Sequence, residues 1–154
     1  MKRHYYHISL HFIENLVLEP RSSHHPECSR DVGEPSIARI CVAPSVAHCM
    51  SAIAMYSKVL YIYRTKHRVL GTQPYKVSDA KLTRERWLLR PTEFVLAGKI
   101  GHRKMSQFLS EWDQFQYDDH YWSMAIQRRF LKFTKIFLDD ENLTFPAEKL
   151  ELVA

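Results

Sequence analysis

The hydrophobic pattern of the chain changes its period at Gly101, and this change constrains the fold more than any other feature. Before Gly101, apolar residues alternate with polar ones or form short runs bounded by Pro, Gly, Ser and Asp, as in β-strands. After it they recur at the i, i+3, i+4, i+7 spacing of an amphipathic helix: Met105, Phe108, Leu109, Trp112 and Phe115. The sequence therefore predicts an α+β chain with its strands first and its main helices last.

The first hundred residues contain five segments that predict strands: 4–10, 38–43, 58–65, 85–90 and 92–100. Residues 12–18 fit either a short helix or a further extended piece, and residues 68–72 either continue or bend the strand before them. Ser45 is a candidate N-cap for a helix that begins at Val46. Together these segments predict a mixed or antiparallel β core, with a long polar loop from Glu19 to Pro35.

The C-terminal part predicts a two-helix extension of the β core. The first helix follows Gly101, and Asp118-Asp119 begins the second, where acidic side chains favour the helix N-terminus. The second helix carries one apolar stripe: Trp122, Ile126, Phe130, Phe133 and Phe137. A length of 154 residues suits a single domain. We expect a β-rich core over 1–100, a helical extension over 101–138 and a loosely attached polar tail over 139–154.

Positive charge is unevenly distributed along the chain. Residues 1–100 contain 15 Lys and Arg against 8 Asp and Glu, whereas residues 101–154 contain 7 against 9. An anionic cofactor, a nucleic acid or an acidic protein would therefore meet the β-rich part. No segment has the length or apolarity of a signal peptide or a membrane span. Three cysteines without CxxC spacing fit a reduced cytoplasmic setting, with Cys41 and Cys49 as small core residues.

Two constellations in the first fifty residues carry candidate binding groups. On a strand, Tyr5, His7 and Ser9 share one face, which either lines a cleft or is half exposed with surface histidines. The strand from Arg39 leads directly to Ser45 at a helix N-terminus, where backbone N–H groups favour an anion such as pyrophosphate. The plainer interpretation of this second constellation is an ordinary β-to-α turn capped by Ser45.

Three further groups have both a chemical and a structural interpretation. Glu85, between two arginines, either stabilises a developing cation as an ionised carboxylate or forms a surface ion pair. His24, His25, Glu27 and Cys28 are metal-binding residue types, but their spacing matches no zinc motif, so we predict no metal site. The basic stripe of Arg128, Lys132 and Lys135, with Arg129 alongside, is either a solvated helix face or a contact for phosphate or membrane.

The order of the first constellations along residues 4–100 resembles the ADP-ribosyltransferase-like fold. That family opens with a strand similar to YYHIS, followed by a segment similar to Leu18-Glu19-Pro20-Arg21. A strand-Ser-helix unit similar to residues 40–45 and a central strand similar to VLYIYRT come next. The family then carries a glutamate near a strand start, as in TRERWLL.

The resemblance implies NAD as cofactor and a role for each matching residue. His7 would bind a ribose hydroxyl, Ser45 would support the nicotinamide side, and Arg21 or Arg39 would meet the pyrophosphate. Tyr61 or Tyr63, or one of Tyr5 and Tyr6, would stack on the nicotinamide. Glu85 would be the catalytic carboxylate, because breaking the ribose–nicotinamide bond builds positive charge that a fixed negative charge stabilises.

The sequence thus predicts an NAD-dependent mono-ADP-ribosyltransferase-like protein that modifies a macromolecular target. Thr83 stands where arginine-modifying members carry an acidic or amide side chain, which leaves other acceptors open. The alternative is a small non-enzymatic protein of phage or mobile-element type that binds and inhibits a larger protein or nucleoprotein. A third hypothesis is a nucleic-acid binder that uses the basic face of residues 1–100 and its tyrosines. A protein target and no membrane are expected, and the oligomeric state stays open.

Overall fold

The computed structural model describes residues 1–22, 36–52, 59–77, 79–113 and 124–145. Their secondary structure follows the α+β order that the change of period predicts. Along the chain the elements are β1 (Tyr6–Ser9), β2 (Val17–Leu18), β3 (Ile40–Val42), α1 (Val46–Ser51), β4 (Leu60–Thr65), α2 (Ala80–Thr83), β5 (Arg86–Leu88), β6 (Thr92–Ile100), α3 (His102–Asp113) and α4 (Met124–Asp140).

The strands form a curved antiparallel sheet in the order β1-β4-β6-β2, with β3 and β5 paired separately. A reciprocal pair of backbone hydrogen bonds between Tyr6 and Ala43, of 2.8 and 3.0 Å, connects the β3–β5 pair to β1. In the long β4–β6 ladder the register shifts at Ile62 and Tyr63, which is the position of a bulge. Every strand pair is antiparallel, so the antiparallel form of the predicted core is confirmed.

Strand alternation separates two hydrophobic clusters on opposite faces of the strands. Tyr6 and Ile8 of β1 pack with α1, α3 and α4, in the larger cluster that contains Met50 and Phe108. Tyr5, two residues before His7, belongs to the second cluster with partners from other strands: Ile40, Val42, Tyr63, Leu88 and Phe94. We call these the helix face and the loop face, because Ile13 and Leu18 pack against the second cluster.

Helix α4 is held to the rest of the molecule by aromatic packing and by one buried amide. Phe108 of α3 makes ring contacts with Phe130 and Phe137 at 5.6 and 5.1 Å between centroids. The buried Gln127 side chain donates to the Ser51 carbonyl at 2.9 Å and to the Asp79 carboxylate at 3.0 Å. These contacts fix α4 against α1 and α2, and with it the position of any side chain on its exposed face.

The structure changes several local expectations. Of the two alternatives for residues 12–18, the extended one holds, since Val17 and Leu18 pair with β6. The short helix α2 was not predicted. Of the two cysteines expected in the core, Cys49 is buried and Cys41 is exposed, because Cys41 points away from the buried side chains of Ile40 and Val42.

The expectation of a loose tail is wrong for residues 141–145, because Leu143 and Phe145 pack against the helix-face cluster. The predicted start of the second helix at Asp118, together with Trp122 and the His24–Cys28 group, lies outside the described residues. In the parts of the chain that the structure describes, no helix combines the length and apolarity needed to cross a bilayer.

Candidate functional site

A cleft of about 880 Å³ opens where the N-terminal segment, the β3–α1 junction and the C-terminal half of α4 meet. Its charged lining is mostly cationic, with one carboxylate on α4: Lys2, Arg3, Arg68, Lys135 and Asp139. Its apolar lining includes Tyr6, Val46, Leu138 and Phe145. We call it the basic cleft. Its volume is in the range of sites that bind small organic ligands.

The cations of the basic cleft are brought together by long-range pairing. Arg3 exchanges backbone hydrogen bonds of 3.0 and 2.9 Å with Val69, which places the N-terminal segment next to Arg68. Lys135 reaches the same cleft from α4. Within the described ranges, none of Arg3, Arg68 and Lys135 forms an ion pair with a carboxylate. Uncompensated positive charge around a concave surface favours an anionic ligand.

The positive charge around the cleft affects the protonation of His48. The pKa of His48 is lowered to about 4, first by burial and then by the charges of Lys135, Arg84 and Arg3. The imidazole is therefore neutral at pH 7, so the positive charge of the cleft comes from its lysines and arginines.

Ser45 lines the basic cleft and caps α1, as predicted for the cap. Its hydroxyl accepts the His48 backbone N–H at 3.2 Å and lies 2.5 Å from Nδ1 of the same residue. Serine and histidine are the residue types of a catalytic nucleophile and its general base. However, an imidazole with a pKa of about 4 is a weak general base at neutral pH, so the pair acts as a helix cap.

His7, Tyr61 and Tyr63 lie together on the loop face. His7 is opposite Tyr63 in the β1–β4 register. Tyr61 lies two residues before Tyr63 on β4 and therefore on the same face of the strand. The His7 ring donates from Nδ1 to the Cys41 carbonyl at 2.9 Å and contacts Phe94, while burial lowers its pKa. The Tyr63 hydroxyl accepts the Ile13 backbone N–H at 2.8 Å, so it is engaged in holding the loop.

Glu85 and Arg39 meet at Trp87 rather than at a cleft. The Trp87 indole is almost fully buried and donates from Nε1 to the Glu85 carboxylate at 2.9 Å. The Arg39 guanidinium lies 4.1 Å above the same ring, in cation–π geometry. Arg21 is exposed and is connected to Arg39 through reciprocal backbone hydrogen bonds of 3.0 and 2.9 Å.

The carboxylate of Glu85 and the ring of His7 lie on opposite sides of the strands. Leu88 and Val42 belong to the loop-face cluster, so their neighbours Trp87 and Cys41 lie on the other side. Glu85 hydrogen-bonds Trp87 and Cys41 there, whereas His7 contacts Phe94 of the loop face. Among the residues that the resemblance assigned to one site, Ser45 lines the basic cleft, as does Tyr6, one of the four tyrosines named as alternatives. His7, Arg21, Arg39, Tyr61, Tyr63 and Glu85 do not line it.

Cys41 is exposed as a residue, yet the surroundings of its sulfur disfavour the thiolate. The pKa of the thiol is raised to about 12, first by desolvation and then by the charge and hydrogen bond of Glu85, with Arg39 opposing. The thiolate is the nucleophilic form, so Cys41 is a poor nucleophile at neutral pH. Among the described residues, no three His, Cys, Asp or Glu side chains are grouped closely enough to hold a metal ion.

Sequence reasoning missed the residues of the basic cleft because they are distant along the chain. Lys2 and Arg3 precede the first predicted strand, and Arg68 lies in the segment expected to continue or bend the strand before it. Lys135 belonged to the basic stripe, whose plainer interpretation was a solvated face. The positive charge of these residues was the one sequence feature that could have indicated the cleft. However, dividing the charge count at Gly101 placed Lys135 in the half of the chain with a net negative charge.

The chain matches no protein-family model, no curated protein and no solved structure.

Proposed function

We propose that the protein is a non-enzymatic binding protein whose basic cleft takes the phosphate group of a ligand. The observation that carries this proposal is the convergence of Arg3, Arg68 and Lys135 on one concave surface, where Asp139 is the one carboxylate among the lining residues that the structure describes. Guanidinium groups match the oxygen geometry of phosphate, and a lysine adds a mobile point charge. This proposal agrees with the binder and inhibitor interpretation of the sequence, with a nucleoprotein partner among its targets.

The lining of the basic cleft also supports binding rather than turnover. His48 is a weak base at neutral pH, and the Ser45 hydroxyl caps α1. His4 also lines the cleft, but it is buried and its Nδ1 donates to the Thr65 carbonyl at 2.9 Å. Asp139 is exposed on the last turn of α4. General acid–base catalysis needs a group with a pKa near the working pH and in reach of the substrate. The described lining offers cations to hold an anion and apolar side chains to contact the rest of the ligand.

The test is calorimetric titration with thymidine 5′-monophosphate and with inorganic phosphate. Lys135→Gln and Arg3→Gln should each weaken binding of the nucleotide about tenfold or more, since each removes a charge-assisted contact. Lys132→Gln is the matched control, because Lys132 is exposed on the same helix outside the cleft lining. Absence of nucleotide binding at millimolar concentration, or equal losses in the control, overturns the proposal.

NAD-dependent ADP-ribosyl transfer is the second candidate. The grouping of His7 with Tyr61 and Tyr63 on the loop face favours it, because the resemblance assigns these residues to the cofactor. The position of the Glu85 carboxylate on the opposite side counts against a shared site. Incubation with NAD tests it: nicotinamide release that falls by orders of magnitude in Glu85→Gln supports transfer. No release from the wild-type protein excludes it.

A further inference from the structure

The basic stripe on α4 continues the positive charge of the basic cleft. Arg128, Lys132 and Lys135 are all exposed. Helix geometry places their Cα atoms within about 60° of one another, at steps of about 6 and about 4.5 Å along the axis. Lys135 belongs both to the stripe and to the cleft. A row of cations therefore leads along α4 into the concave site.

The stripe has a fixed orientation because the other side of α4 is buried. Phe130 and Phe137 are almost fully buried against Phe108, and Gln127 is tied to Ser51 and Asp79. The helix cannot rotate its cations away from the cleft without breaking these contacts. The Cα positions of the row are thus fixed on the surface, and the three side chains all start from the same side of the helix.

Resting on the proposed function, we propose that the ligand is a single-stranded nucleic acid whose phosphates follow the α4 stripe and one of whose nucleotides enters the basic cleft. A regularly spaced row of cations complements a repeating anion better than it does one isolated phosphate. The nucleotide in the cleft must be unpaired, because a paired base cannot leave its duplex to enter a concave site without unstacking.

The apolar lining of the cleft fits the base of that nucleotide. Phe145 is half-buried and lines the cleft, and its backbone carbonyl accepts the Tyr6 hydroxyl. The Phe145 ring also packs beside Gly98, so it is held in the cleft wall. Contact with an aromatic ring tolerates any base, because every base has an apolar face. A flat bilayer surface would meet the stripe but would not reach into the cleft, which is why a nucleic acid is favoured over a membrane.

The experiment compares thymidine 5′-monophosphate with dT and rU hexamers over a range of NaCl concentrations. The hexamers should bind on the order of tenfold tighter or more than the monophosphate at low salt. The double variant Arg128→Gln/Lys132→Gln should remove this advantage and lower the slope of log affinity against log salt by about 1.4, since each single-strand phosphate contact contributes about 0.7. Its affinity for the monophosphate should not change.

Arg103→Gln, on an exposed side chain of α3, is the control for loss of a surface cation. If the monophosphate binds and the hexamers bind no tighter, the inference is overturned while the proposed function stands. If hexamers bind but Lys135→Gln and Arg3→Gln have no effect, the cleft is not the site and both fail. Stripe-dependent binding of phosphatidylglycerol vesicles without binding of either hexamer overturns the inference in favour of a membrane.

Discussion

The carboxylate of Glu85 accepts a 2.9 Å hydrogen bond from the indole Nε1 of Trp87. The acceptor is two residues from its donor, and the indole is almost fully buried under the guanidinium of Arg39. Glu85 and Arg39, which the sequence predicted to belong to an NAD site, thus hold the buried Trp87 in place. This relationship determines how any substitution of Glu85 must be interpreted.

Removal of the Glu85 side chain should cost stability. Glu85→Ala leaves the buried Trp87 N–H without its acceptor, so we expect the free energy of unfolding to fall by about 1–3 kcal/mol. Glu85→Gln keeps an oxygen acceptor and should cost less. Urea denaturation followed by tryptophan fluorescence measures both. Glu93→Ala, which removes an exposed carboxylate paired with Lys66, should cost less than about 1 kcal/mol. Equal losses in the three variants would contradict the bond.

The Cys41 thiol should react slowly with alkylating reagents at pH 8, because its pKa of about 12 leaves little thiolate. Glu85→Gln removes a negative charge and a hydrogen bond that raise this pKa, so alkylation should accelerate by on the order of tenfold per unit that the pKa falls. Mass spectrometry of the Cys41 peptide after timed iodoacetamide treatment measures the rate. Glu93→Gln, which removes an exposed carboxylate paired with Lys66, is the control. An unchanged Cys41 rate in Glu85→Gln would refute the coupling.

Stability should depend on pH through His48. Its pKa is about 4 in the folded protein and about 6.5 when unfolded, so between these values unfolding takes up about one proton at this residue. The contribution of His48 is present above pH 6.5 and is lost as the pH falls towards 4. Burial lowers the pKa of His7 in the same direction, so part of the slope persists without His48.

His48→Gln should therefore flatten, but not abolish, the fall in unfolding free energy between pH 6.5 and 4. Denaturant titrations at a series of pH values measure this slope. His67→Gln removes an exposed imidazole and controls for the loss of one histidine. A slope that is as steep in His48→Gln as in the wild-type protein would show that the imidazole is not held in its neutral form.

A methyl group at Gly98 should displace Phe145, which lines the basic cleft. A Cβ atom there would lie 2.4 Å from Cε1 of Phe145, whereas a Cβ at Gly101 would meet nothing within 4 Å. Gly98→Ala should displace the Phe145 ring and lower the free energy of unfolding by about 1–3 kcal/mol. Gly101→Ala is the matched control. In a Phe145→Ala background the cost of Gly98→Ala should largely disappear, and a cost that persists there would place the strain elsewhere.

Local sequence signals predicted the elements better than they predicted their ends. Residues 92–100 form β6 as expected, because a long run of strand-forming residues follows Pro91. The strand expected over residues 4–10 is limited to Tyr6–Ser9, since pairing with β4 ends there. Phe145 lay in a segment expected to be loose, yet its ring packs on Gly98. No local pattern encodes a contact between residues so far apart in the chain.

The sequence by itself determined the change from strands to helices at Gly101 and the helix cap at Ser45. Periodicity and capping depend on residues within one or two turns of each other. Only the tertiary structure decided that His7 and Glu85 lie on opposite sides of the strands, and that Arg3, Arg68 and Lys135 share one cleft. Strand pairing and helix docking bring these charges together, and their effect on one another depends on distance in space rather than on order along the chain.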